Sequence, residues 1–400
     1  MSPGLRGPPL SAPASGAVRE ALASAQGAYA DLLLTMRTAK PEYASLVSGA
    51  LASWRDVSSR LAPDEALLEY VVSDSTTLVF VVTADTITAL DLGIDRRALN
   101  GLIDFARGVL AHPAPPGAPV PWEAPLERLY RTLIEPIEAT GLLKRAQTLL
   151  IAPHGELHYL PFAALRLPGP PRRFLVERYR LASVPSASVW LRLRERPARS
   201  GDGSVLALAP RADALPGSRV EVATIGRIYG DRAHVLVGPE ASRLAFVASA
   251  PRASILHLAT FGVLNKDNPL FSFVELAPHG ADDGRLEVHD VFGLLLNARL
   301  VVLSACQTGL GSGTLADVPA GDDWVGLVRA FLFAGASNVV ATLWPVEDRA
   351  MAGLMERFYA DLAAGRSEVD ALADAQRAVL RNPSTGDPFY WGGVTLNGGL

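Results

Sequence analysis

Between residues 204 and 343 the chain alternates short apolar runs with segments of helical spacing, and few folds accommodate that alternation. The runs are Ser204 to Ala209, His234 to Val237, Ile255 to Ala259, Phe273 to Leu276, Leu300 to Ser304 and Asn338 to Leu343. Each is too short for a stable helix and offers apolar side chains to both sides, as a strand buried on two faces must. Helical patterns at Arg219 to Tyr229, Ser242 to Ala250 and Trp324 to Phe333 separate several of them. The pattern predicts an α/β fold with a mostly parallel, doubly wound sheet covered by helices on both faces.

Open parallel sheets gather their reactive groups at the carboxyl ends of the strands. The only cysteine of the 400 residues, Cys306, directly follows the run Leu300 to Ser304 and so falls at such an end. After it, Gln307-Thr308-Gly309-Leu310-Gly311-Ser312-Gly313 reads as a glycine-rich turn whose N–H groups can face a developing oxyanion. A strand-end thiol beside such a turn points to acyl transfer, although a free cysteine more commonly packs as a small hydrophobe. The thiol's unperturbed pKa is about 8.5, so a nucleophile here needs an imidazole or a cation close by. The spacing Gly309-x-Gly311-x-Gly313 with no following lysine excludes a phosphate loop.

The neighbouring run His257-Leu258-Ala259-Thr260-Phe261-Gly262, taken with Val302-Leu303-Ser304-Ala305-Cys306-Gln307-Thr308-Gly309, resembles the paired signatures of the CHAT domain family. These are caspase-like cysteine peptidases related to separase and gingipains. Agreement extends to Ile151-Ala152-Pro153-His154-Gly155, Leu157 to Phe162, Leu215-Pro216-Gly217, Val237 to Ala241, Ala330 to Ala336, Leu343 to Asp348 and Tyr390 to Gly393. The resemblance implies Cys306 as nucleophile and Gly262 as an oxyanion N–H donor. It implies two α/β units, an inactive-like N-terminal half packed against a catalytic-type C-terminal half. It also implies a link to bacterial defence and programmed proteolysis.

The family motif reads His-x-Ala-Thr-His-Gly, and this chain carries Phe261 where the second, catalytic histidine belongs. Phenylalanine can neither take a proton from a thiol nor give one to a leaving amine. Losing a positioned acid/base costs about 10²- to 10⁴-fold in rate. His257 sits four residues earlier, about 13 Å away at the strand rise of about 3.3 Å per residue, and a structural role is expected for it. His154 reads as a turn residue, and His158, His279 and His289 fall in or near loops. Two readings follow. One is a degenerate domain acting in protein binding or regulation. The other is a cysteine endopeptidase served by another base, or an active parent in which Phe261 is a substitution. The resemblance also implies an acidic residue in a pocket for a basic side chain, which makes Asp322 and Asp323, before the helix at Trp324, its candidates, while carboxylates there are more commonly ordinary partners of a helix N-terminus.

The N-terminal stretch 1–16, rich in Pro, Gly, Ser and Ala, reads as a disordered leader, and 17–60 as a helical segment without a 34-residue repeat. Leu67 to Val72, Thr77 to Val82 and Thr86 to Leu90 read as an antiparallel meander opening the N-terminal half, 61–200. The C-terminal half, 201–400, carries Cys306. A net charge of −4 without a basic block argues against nucleic acid and anionic membrane, and no run reaches the roughly 18 residues of a bilayer span. One cysteine excludes an internal disulfide and fits a reducing cytoplasm. No cofactor and no metal are expected. The expected partner is a protein or peptide ligand, with a repeat protein or an active peptidase as candidates.

Overall fold

The structure is a computed structural model that describes residues 51–114, 120–196, 201–263, 269–306, 323–344 and 346–399. The leader, most of the segment 17–60, the glycine-rich turn after Cys306 and Asp322 lie outside the described residues. Residues 52–400 form one compact unit.

The first strands, β1 (Glu65–Val72), β2 (Thr77–Val82) and β3 (Ile87–Asp91), are the antiparallel meander that their alternating sequence predicts. Helix α1 (Trp54–Ser58) precedes them; α2 (Arg96–Leu110), α3 (Glu123–Leu133) and α4 (Glu135–Ala139) follow. The break between α3 and α4 falls at Ile134, before Pro136. Strand β4 (Thr148–Ala152) is buried at all five residues and runs parallel to β1. A small hairpin, β5 (Arg166–Leu167) and β6 (Arg173–Phe174), leads through α5 (Leu175–Arg178) to β7 (Arg180–Ser183) and α6 (Ala187–Glu195).

The second half continues with β8 (Val205–Ala209), α7 (Pro216–Tyr229), β9 (Ala233–Val237), α8 (Arg243–Ser249) and β10 (Ile255–Val263). Then come β11 (Phe273–Glu275), β12 (Arg285–Glu287), α9 (Val288–Phe292), β13 (Leu300–Cys306), α10 (Asp323–Ala334) and β14 (Asn338–Thr342). The chain closes with α11 (Asp348–Ala363), α12 (Glu368–Arg381) and β15 (Val394–Gly398).

Thirteen strands make one mixed sheet in the order β12-β11-β10-β13-β14-β15-β7-β4-β1-β2-β3, with β8 and β9 alongside β10. Strands β9, β8, β10, β13 and β14 are mutually parallel, while β11 and β12 fold back antiparallel on the end of β10. Strand β15 runs antiparallel to β14 and parallel to β7, so it joins the halves and reverses strand direction between them.

Period-two alternation sends each buried strand into two cores. Ala207, Ala209, Ile255, Ala259 and Val302 pack with Val222 and Ile225 of α7 and Leu354 and Phe358 of α11. Leu206, Leu208, Leu256, Leu258 and Leu303 pack on the other face with Phe246 of α8, Val291 of α9 and Phe331 of α10. That is the doubly wound arrangement the apolar runs require. No helix among the described residues is long and apolar enough to cross a membrane.

Candidate functional site

The site is set by strand register. β10 and β13 pair in parallel over seven residues, from Ile255 opposite Leu300 to Phe261 opposite Cys306. Cys306 is the last residue of β13. β10, expected to end near Ala259, continues four residues further because β11 pairs with its end, Gly262 opposite Val274. Gly262 is buried within that pairing and not in a free turn. Asp323 opens α10.

By strand parity Phe261 shares a face with Ala259 and His257, the face packed under α7 and α11. Its ring is half-buried, and the guanidinium of Arg211, in the loop after β8, lies 5.6 Å from the ring centroid. Arg211 is held by an ion pair with Glu275 of β11, with Asp213 3.9 Å away. The backbone carbonyl of Glu275 in turn accepts the Thr260 hydroxyl. One residue of β11 thus fixes both the strand and the cation at the ring.

Beneath this pair lies a buried polar chain. Glu221 of α7 is 4% exposed, and its Oε1 accepts the Ser304 hydroxyl at 3.2 Å. Its Oε2 lies 3.1 Å from His257 Nε2, at ion-pair distance but bent away from good hydrogen-bond geometry. His257 is wholly buried, and its Nδ1 lies 3.0 Å from the Tyr359 hydroxyl. Burial holds the Tyr359 hydroxyl protonated far above its usual range, so it can donate to Nδ1 or accept from it, according to the tautomer of the ring. Tyr229 packs edge-on to Tyr359 with its own hydroxyl buried.

Helix α7 is anchored at its start, where Gly217 N–H donates to the Asp348 carboxylate at the start of α11. A Cβ on Gly217 would lie 2.4 Å from that carboxyl group, so only glycine permits the approach.

Four other histidines are engaged elsewhere. His154 Nδ1 accepts Val72 N–H at 3.0 Å, and the backbone of His279 pairs with Asp282. His158 lines a small cavity between the halves with Ser183, Arg329 and Asn397, and burial, aided by Arg329, lowers its pKa to about 4. His289 lies between Glu287 and Asp290, the one group among the described residues that brings three metal-ligating side chains within 4.8 Å. Asp290 is already paired with Arg243, whose positive charge opposes a cation there.

Arg211, Glu221, Ser304 and Glu275 were not expected from the sequence. Glu221 alone carried a signal, since it falls in phase with Ser218, Val222 and Ile225 on the buried side of α7.

The CHAT domain matches residues 123–399, well over half of the chain. The chain belongs to the CHAT domain family. It is 27% identical to Tetratricopeptide repeat protein 28 of Mus musculus over 330 residues, 68% of this chain and 13% of that protein. The Homo sapiens protein of the same name gives the same figures. Among solved structures, separase in the Saccharomyces cerevisiae separase–securin complex superposes with a TM-score of 0.52 at 10% identity, over 86% of this chain and 30% of that one. A second structure of the same complex gives 0.51 at 11% identity, over 89% and 31%. This CHAT domain therefore shares the fold of a caspase-like cysteine peptidase, and it spans a small part of each relative.

Proposed function

We propose that this CHAT domain is a catalytically degenerate cysteine-peptidase domain that binds a protein or peptide and acts in regulation. The observation that carries the reading is Phe261 in register with Cys306. The pair has the place a peptidase needs for base and nucleophile, yet the ring beside the strand end cannot exchange a proton. The phenyl face takes the Arg211 guanidinium, an aromatic role that an imidazolium would fill poorly. His257 is sealed beneath the sheet beside Tyr359, and His154 is bound to Val72.

Partner class is supported from two sides. The curated relatives are named as tetratricopeptide repeat proteins, and the structural neighbour was solved with securin. A protein segment lying against the carboxyl ends of the paired strands β10 and β13 fits both. Should Asp322 or Asp323 face that segment, a basic residue would be favoured in it. The lone cysteine supports a cytoplasmic location.

The deciding experiment incubates the unaltered protein and Cys306→Ala with a broad peptide library. Equal, background cleavage is expected. Cleavage by the unaltered protein that disappears in Cys306→Ala would establish an active peptidase with another base and end the degenerate reading.

A further inference from the structure

Glu221 occupies a costly place. Removing a carboxylate from water costs several kcal/mol even after relaxation, and a well-packed apolar residue is often as stable there. What the carboxylate supplies is contact with two strands at once. Ser304 lies opposite Ala259 and two residues before Cys306, about 7 Å along the strand. His257 lies opposite Val302 and four residues before Phe261 on the other strand. One oxygen meets each of these side chains.

We propose that Glu221 is a positioning residue for the Phe261–Cys306 pair, gripping one strand through Ser304 and its neighbour through His257. The inference rests on reading that pair as the functional centre. Its support is independent of the identity of residue 261. The carboxylate comes from a 14-residue helix whose first turn is locked to α11 through Gly217 and Asp348, so it is presented from a rigid element. His257 is in turn braced by Tyr359 of α11. The strand ends therefore take their separation and stagger from α7 and α11, since the β13–β14 pairing stops at Leu303, three residues before Cys306. Sheet hydrogen bonds alone leave the last residues of a strand free to fray.

Because the chain has one cysteine, alkylation by iodoacetamide reads Cys306 alone. The test measures its second-order rate at pH 8 in folded protein, for Ser304→Ala, Ser304→Thr, Glu221→Leu and Glu221→Gln. Tyr70→Phe, which removes a buried hydrogen bond to Leu133 in the other half, controls for general loosening. Ser304→Ala and Glu221→Leu should change the rate by at least about fivefold, the factor one ordinary hydrogen bond is worth. Ser304→Thr and Glu221→Gln, which keep a hydroxyl and an acceptor, should return it to the parental rate. The proposal is overturned if Ser304→Ala labels at the parental rate, or if Tyr70→Phe changes the rate as much as Ser304→Ala does. Should Glu221→Leu not fold, the Ser304 pair decides. Alkylation needs neither peptide binding nor cleavage, so the peptide assays can fail while this pattern stands, and the reverse.

Discussion

Phe261 and Cys306 face one another in register across the parallel strands β10 and β13. Neighbouring strands lie about 4.8 Å apart, so side chains leaving the same face at paired positions are within mutual reach. A histidine at 261 would stand in backbone register with the cysteine. That geometry gives the first prediction. Phe261→His should gain Cys306-dependent peptide hydrolysis of at least about 10²-fold over the unaltered protein, the lower range for a positioned acid/base. Phe261→His combined with Cys306→Ala should be silent. A folded single variant with no activity on any peptide would show that the cleft has lost more than its histidine.

The second prediction concerns the buried Glu221–His257 pair. Removing either residue leaves buried polar groups without their neighbour, so Glu221→Ala or His257→Ala should each destabilise by about 1–3 kcal/mol. Their double variant should cost less than the sum, because the two residues are then removed together and only the Ser304 and Tyr359 hydroxyls lose a partner. Chemical denaturation of the three variants reads the cycle. Strict additivity would mean that the 3.1 Å approach carries no coupling.

The architecture was legible because burial on two faces imposes an unmistakable pattern. Every residue of β8 and β14 is buried, and both runs stood out as apolar. Strand β15 did not stand out, since Val394, Leu396 and Gly398 are buried while Thr395 and Asn397 are only half-buried. Yet β15 joins the two halves, and pairing with β14 sets its place more than its own sequence does. The site divides similarly. Phe261 and Cys306 could be named from their motifs, but Arg211 reaches the ring from a loop 50 positions earlier in the chain, and local spacing carries no trace of that.

The third prediction tests the anchor of α7. Gly217→Ala places a methyl group where the Asp348 carboxylate now sits, so either the contact or the helix must shift. A loss of about 1–3 kcal/mol is expected, the usual cost of overpacking. Asp348→Ala, which merely removes a cap, should cost about 1 kcal/mol. Combined, the two should cost less than their sum, because the clash has no partner once the carboxylate is gone. Thermal melts of the three proteins measure the pattern.

The last prediction is a pH dependence. Burial and the nearby Arg329 lower the pKa of His158 to about 4, from the ordinary value of about 6.5 in an unfolded chain. Between those values the unfolded chain binds a proton that the folded protein does not, so stability rises with pH. The contribution is fully present above about pH 6.5, is lost as pH falls toward 4, and amounts to roughly 3 kcal/mol at most. Titrating carboxylates add their own losses mainly below pH 5, so the window from 6.5 to 5 isolates the histidine. His158→Gln, which stays neutral throughout, should flatten denaturation midpoints across that window while the parent declines. A variant that declines as steeply as the parent would assign the acid sensitivity to another group and leave His158 solvated in the folded state.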